Sequence, residues 1–359
     1  MKTTREKIID SLNVIWTIAS KDIVDALRNK LIMSMILGLS LMLMMPKVMG
    51  LIIDTPYIQV LVYDPGNSLL VAELEDSPGF EVRRANSLSG LEEAIGSTGI
   101  GLGVEFGVAI PPDFNQILEA GESVELEGYV VWANRGNAAQ MKSDFERQFS
   151  DLLALPVQIN IEGNVVYPPP SSTLLLSILT WTSVIVILSM GVNLVPHLLF
   201  EEKQTKTIEA LLVSPASVGQ VVMGKALAGL FYILVTAGVV FAINWTGVVH
   251  WEVATLFVIA SGLFCVALGL VLGSFFERQQ EVAGLTITLI VVFVGAMFID
   301  AMDLEIPNFI QAIVPWVPSV ALSDILQFSY LERVPWIQLW RSLGSLLGFS
   351  LLLYTLVNW

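Results

Sequence analysis

The chain has 359 residues, of which 54% are apolar and only 14% charged, with a mean hydropathy of +0.71. Soluble domains average about 25% charged residues, so this composition excludes an ordinary soluble protein and indicates one built in a bilayer. The 33 acidic and 18 basic residues leave a net charge of −15, which argues against nucleic-acid binding because phosphate would be repelled.

Over residues 1–30, Leu12, Ile15, Trp16, Ala19, Ile23, Ala26 and Leu27 recur at helical spacing, with Lys21, Asp22, Asp25 and Arg28 on other faces. This pattern predicts an amphipathic helix lying on the inner membrane surface; the alternative is a cytoplasmic helix packed on a partner. The first apolar stretch starts near Leu31 and is long enough to span, so no cleavable signal is evident. It runs over residues 31–53, interrupted by Pro46 and Lys47.

Residues 54–170 hold 18 acids and 5 bases. YIQVLVYD (57–64) alternates like a strand and ends in the turn signal Pro65-Gly66-Asn67. Helical and strand-like segments then alternate: a helix from Ser68, FEVRRA, LSGLEEAIG, GLGVEFGVAI, DFNQILEA, VELEGYVVW and a longer helix from about Ala138 to Leu155. The mixed order predicts a small α/β domain, extracytoplasmic by the orientation argued below. Its carboxylates lack metal-ligand spacing and read as a solvated acidic surface.

Five further spans are expected within 171–359, at 173–200, 226–249, 253–276, 282–299 and 336–357, which makes six with the first. Between the last two, IPNFIQAIVPWVPSVALSDILQF is apolar but carries three prolines, which predicts interfacial or re-entrant helices over 306–334. The N-terminal thirty residues carry six basic residues, and the 201–225 loop carries Lys203, Lys206 and Lys225; the alternate flanks are poorer. The charge asymmetry puts both termini in the cytoplasm. Trp245, Trp251, Trp336, Trp340 and Trp359 fall at expected span ends, as interfacial anchors do. The single cysteine, Cys265, lies in an apolar run and reads as a small buried hydrophobe.

The loop EEKQTKTIEALLVSPASVGQVVMGKALAG (201–229) is the most polar stretch on the inner side. Glu201 to Glu209 read as a charged helical beginning, Pro215 forces a break, and Ser217 with Gln220 has capping-box spacing for a helix leading into the next span. GQVVMGKA (219–226) has the outline of a phosphate-binding loop. Ala226 stands where such a loop needs a hydroxyl for Mg²⁺, and helix is predicted where it needs a strand and a flexible turn. Nucleotide binding there is therefore rejected, and Lys225 reads as a boundary residue snorkelling to headgroups. Thr180, Thr182, Ser183, Ser189 and Asn193 give the second span a polar side: a possible translocation path, or helix–helix hydrogen bonding. His197, near that span's inner end, reads as an interfacial residue. No intramembrane pair of Asp, Glu or His suggests catalysis, and Asp300, Asp303 and Glu305 read as solvated loop charges.

The run E-E-K-x-x-K-T-I-E-A-L-L-V-S-P-A-S followed by G-K resembles the loop between spans two and three of type-2 ABC transporter permeases. The match is strong at Glu202, Thr207, Glu209, Leu211, Leu212, Pro215 and Lys225, and departs at Lys206, where the family usually has glycine. The likeness extends to the amphipathic N-terminus, the single span before a large outer domain with Val62-x-Asp64 and Ile110-Pro111-Pro112-x-Phe114, the five later spans, and Pro315 and Pro318 before the last. The layout is similar to the branch containing sodium and multidrug exporters. The resemblance implies the non-enzymatic membrane subunit of an exporter in the plasma membrane of a prokaryote. It further implies a second permease, identical or homologous, and a separate ABC ATPase docked on a coupling helix at about Thr207 to Pro215. ATP and magnesium would be held by that ATPase and no cofactor by this chain. A membrane receptor or scaffold, with an acidic ligand-binding outer domain and a docking loop, is the alternative.

Overall fold

The computed structural model describes residues 4–52, 58–97, 106–168, 174–204, 217–276, 279–302 and 307–358. It is mostly helical. Helix α1 (Thr4–Arg28) is followed after one residue by α2 (Lys30–Ile52). A sheet unit comes next: β1 (Ile58–Tyr63), α3 (Leu69–Asp76), β2 (Phe80–Ala85), α4 (Leu88–Ser97), β3 (Phe106–Ala109), α5 (Phe114–Glu119), β4 (Val124–Val131), α6 (Ala138–Leu153), β5 (Val157–Asn160) and β6 (Val165–Val166). Then follow the long helices α7 (Leu174–Gln204), α8 (Val218–Asn244), α9 (Trp251–Phe275) and α10 (Gln279–Ala301), the short α11 (Asn308–Ile313) and α12 (Pro318–Phe328), and α13 (Trp336–Asn358).

Strands run in the order β2-β1-β3-β4-β5, with β6 also paired to β4. Among the described strands only the β3–β4 pairing is antiparallel, so the sheet is mixed. The two-residue side-chain alternation sends Val60, Val62, Phe106, Val108 and Val130 to one face, where they pack with Leu70 and Leu74 of α3 and Phe145 and Phe149 of α6. Phe106 and Phe145 stack there at 4.1 Å. On the other face, Leu61, Ala109, Tyr129 and Val131 meet Leu91 and Ile95 of α4, and this cluster is continuous with the core of the long helices. The acidic segment is thereby joined to the helical region through apolar contact as well as through the chain.

Among the described residues, five helices are long and apolar enough to cross a membrane: the stretches Leu176–Phe200, Gly219–Asn244, Trp251–Phe275, Gln280–Ala301 and Trp336–Val357. The segments Asn308–Trp316 and Pro318–Phe328 meet at a 67° bend and together make a sixth candidate. Pro315 and Pro318 lack the amide hydrogen a continuous helix would need, which accounts for the break. Trp245, Trp251, Trp336 and Trp340 are all exposed near the ends of these helices.

The helices α7 and α9 cross in close contact. A Cβ on Gly269 would lie 2.5 Å from the Gly191 carbonyl oxygen, and one on Gly191 would lie 2.5 Å from Cys265 Cβ. Glycine lets the two backbones approach to a distance that no other residue permits, which is how apolar helices gain dispersion contact without a hydrophobic driving force. Cys265 is fully buried at this crossing.

Candidate functional site

The polar loop expected to dock a partner begins in the last turn of α7. That helix continues without interruption through Gln204, so Glu201 to Gln204 extend the span rather than open a new helix. Lys203 lies here. Its Nζ donates to the carbonyl oxygens of Gly273 and Phe276, each at 2.8 Å, and of Ser274 at 3.2 Å. These lie at the C-terminal end of α9, where helix geometry leaves carbonyls unpaired and the dipole favours a cation. The loop's first anchor is therefore a charge-assisted clamp between α7 and α9.

Its second anchor is α8. Ser217 Oγ accepts from the Gln220 amide at 3.3 Å while Gln220 Oε1 accepts from the Ser217 amide at 2.8 Å, which is the predicted capping box. Gln220 Nε2 also donates to Ser11 Oγ of α1 at 2.8 Å. One turn on, Gly224 abuts Ile18, where a Cβ would come within 2.7 Å of Ile18 Cγ2. Lys225 Nζ then meets Asp22 Oδ2 at 2.9 Å, and Tyr232 donates its hydroxyl hydrogen to the Ile23 carbonyl. Partners advance together along both helices, so α1 and α8 run parallel.

This geometry corrects two expectations. Lys225 is 2% exposed and its ammonium is held by a carboxylate inside a helix pair, not by headgroups. Asp22 belongs to the face of α1 that packs on α8 and is itself buried. Burying either charge alone is expensive, so each requires the other. The outward side of α1 carries Leu12, Trp16, Val24 and Leu27, all exposed. The segment Gly219–Ala226 lies wholly inside α8: the Gln220 amide is capped by Ser217 Oγ, the Val221 amide pairs with the Ser217 carbonyl and those after it pair along the helix, and the lysine is already engaged. It offers no phosphate cradle.

Of the residues expected in the docking loop, Thr207, Glu209, Leu211, Leu212 and Pro215 lie outside the described residues. Glu202 lies in the last turn of α7. The polar side of α7 is mostly committed to its own backbone: Thr180 Oγ1 donates to the Ser177 carbonyl, Thr182 to Ile178, Ser183 to Leu179 and Asn193 Nδ2 to Ser189. Thr180 Oγ1 also accepts from Ser323 Oγ of α12 at 3.3 Å. Thr180 and Ser183 are completely buried within the bundle, and Ser189 and Asn193 are half-buried. His197 is partly exposed, and both its ring nitrogens are buried without a hydrogen-bond partner among the described residues.

Sequence reasoning passed over two further arrangements. Asp324, inside the apolar run of α12, accepts from Ser342 Oγ at 3.0 Å and lies 3.8 Å from the Arg341 guanidinium, both on α13. On the sheet unit, Trp132 Nε1 donates to the Gly247 carbonyl at 3.0 Å, and Arg135 donates to those of Thr246 at 2.6 Å and Val248 at 2.7 Å. That same 244–250 connection is tied to the chain before α13, because the amides of Val249 and His250 both donate to the Ser329 carbonyl. The signal for this dock was present only as a Trp and an Arg just after a strand.

No curated protein matches the chain. Residues 30–359 match the family model described as ABC-2 family transporter protein.

Proposed function

Because the chain belongs to the ABC-2 transporter family, a family of membrane permease components, we propose that it is the permease subunit of an exporter driven by a separate ABC ATPase. In this reading loop 201–225 is the docking element, with the coupling helix at about Thr207 to Pro215 and Glu202, Thr207, Glu209, Leu211, Leu212 and Pro215 meeting the ATPase. ATP and magnesium act on the partner. Two permeases pair, the sheet unit with its acidic surface lies outside the plasma membrane of a prokaryote, and both termini lie inside. Ser189 and Asn193, half-buried, flank the translocation path between the two copies, and Thr180 and Ser183 back that polar side from within the bundle. The layout resembles that of the sodium and multidrug exporter branch.

The observation that carries this reading is the anchoring of the loop's two flanks. Lys203 fastens one to the C-terminal end of α9, while the Ser217 cap, Gln220 and Lys225 fasten the other to α8 and α1. A push on the loop would therefore move several helices as a unit instead of being absorbed by slack chain. Coupling in this sense is a bias on a two-state arrangement of packed elements, delivered through contacts that differ between the states.

The test is substitution within the loop, with Glu209→Lys and Leu211→Asp in separate variants. Both should insert and fold as the parent does, yet lose most ATP-dependent transport while the partner ATPase still hydrolyses. Unchanged partner binding and transport in both variants would remove the docking role from this loop.

A further inference from the structure

A cleft of about 650 Å³ opens where the sheet unit meets the chain before α13. One wall is formed by α4 together with β4 and the β6 segment, the other by residues 331–333. Its size lies within the roughly 300–1,000 Å³ range of small-molecule sites, and junctions between structural units are where such sites concentrate. The cleft's walls are held in place by the Trp132 and Arg135 bonds to the 244–250 connection and by that connection's bonds to Ser329.

Its lining selects one sign of charge. Glu92 and Glu93 from α4 face it, as does Glu332 opposite, and none of the three makes an ion pair among the described residues. Arg333 supplies the one positively charged side chain of the lining. Tyr129 and Tyr167 add aromatic surface. Tyr129 donates to Glu127 Oε2 at 3.1 Å; burial, Glu127 and Glu92 push its phenol up to about 12, so the ring stays neutral beside the carboxylates. The surrounding segment 54–170 holds 18 acids against 5 bases, and a cleft in so negative a field concentrates cations. Among the described residues no three metal-ligating side chains converge, which turns the reading from a metal ion to an organic one.

We propose that this cleft is a binding site for a small organic cation, an ammonium-bearing molecule whose charge is met by Glu92, Glu93 and Glu332 and whose apolar body lies against Tyr129 and Tyr167. Carboxylates supply the long-range attraction and the tyrosine faces add cation–π contact at short range. A ligand there would touch the sheet unit and the segment before α13 at once, so its binding would report on how the two are placed. The proposal stands apart from the partner-ATPase reading, because the binding measurement needs no ATPase.

The test is calorimetric titration of the full chain in phosphatidylcholine nanodiscs with benzyltrimethylammonium, compared with benzyl alcohol and benzoate. Saturable binding of the cation alone, weakening with added salt, is expected. Glu92→Gln/Glu93→Gln should weaken it at least tenfold and Glu332→Gln several-fold, whereas Glu122→Gln, an exposed carboxylate outside the cleft, should leave it unchanged. Arg333→Gln should tighten binding, a gain that misfolding cannot imitate. Absence of saturable binding to the parent, equal losses in the Glu122 and Glu92/Glu93 variants, or no gain on removing Arg333 would each overturn the assignment.

Discussion

Lys225→Met removes the ammonium of the Asp22–Lys225 pair while keeping a side chain of similar length against α1. Asp22 is then left as a carboxylate 6% exposed, without the lysine that lay 2.9 Å away. Breaking one side of a buried pair costs about 3–5 kcal/mol, because the remaining charge has lost both water and its counter-charge. Removing both charges at once, in Asp22→Asn/Lys225→Met, relieves that penalty, so the double variant should be more stable than Lys225→Met alone. The assay is chemical denaturation in detergent micelles followed by circular dichroism, arranged as a double-mutant cycle over the parent, two single variants and the double. A Lys225→Met chain as stable as the parent, or a double variant whose loss equals the sum of the singles, would refute the argument that this pair fixes α1 on α8.

Gly269→Val should separate α7 from α9, since even a Cβ at that position would meet the Gly191 carbonyl oxygen at 2.5 Å; overpacking of this kind costs about 1–3 kcal/mol or more, read as a lower midpoint in the same denaturation assay. Arg135→Ala deletes the bonds to Thr246 and Val248. At about 2 kcal/mol for charge-assisted bonds on a half-exposed side chain, amide exchange at Val249 and His250 should quicken roughly 30-fold while the α6 amides are unaffected.

What could be read in advance was whatever is local. The capping box depends on two residues three apart, and Ser217 with Gln220 forms it. Strand β1 occupies the alternating run before Pro65-Gly66, and the three-proline segment breaks into two short helices, because turn and proline chemistry act over a few residues. The contacts that organise the candidate site are different in kind. Ser11 and Gln220 meet across 209 residues of sequence, and Trp132 reaches Gly247 across 115. Nothing in either segment marks its partner. Lys225 departs from its expected place for a physical reason: a lysine where a polar loop turns into an apolar helix has two ways to satisfy its charge, headgroups or a buried acid, and only the packing of α1 decides between them. Asp22 lies on a face that apolar periodicity does not mark, because periodicity identifies one stripe, whereas α1 carries two, one against α8 and one exposed. The glycine crossing of α7 and α9 escaped attention since Gly191, Gly269 and Gly273 read as ordinary members of apolar runs.

In the proposed function, energy reaches this chain from a separate ATPase through the anchored loop. The most direct measurement is affinity purification of the full chain from native membranes under mild detergent, with ATP hydrolysis assayed in the eluate. An ABC ATPase should co-elute, its hydrolysis should change when this chain is present, and Glu209→Lys should abolish that change. Recovery with a partner that has no ATPase activity, or with an ATPase indifferent to both the chain and the substitution, would contradict it.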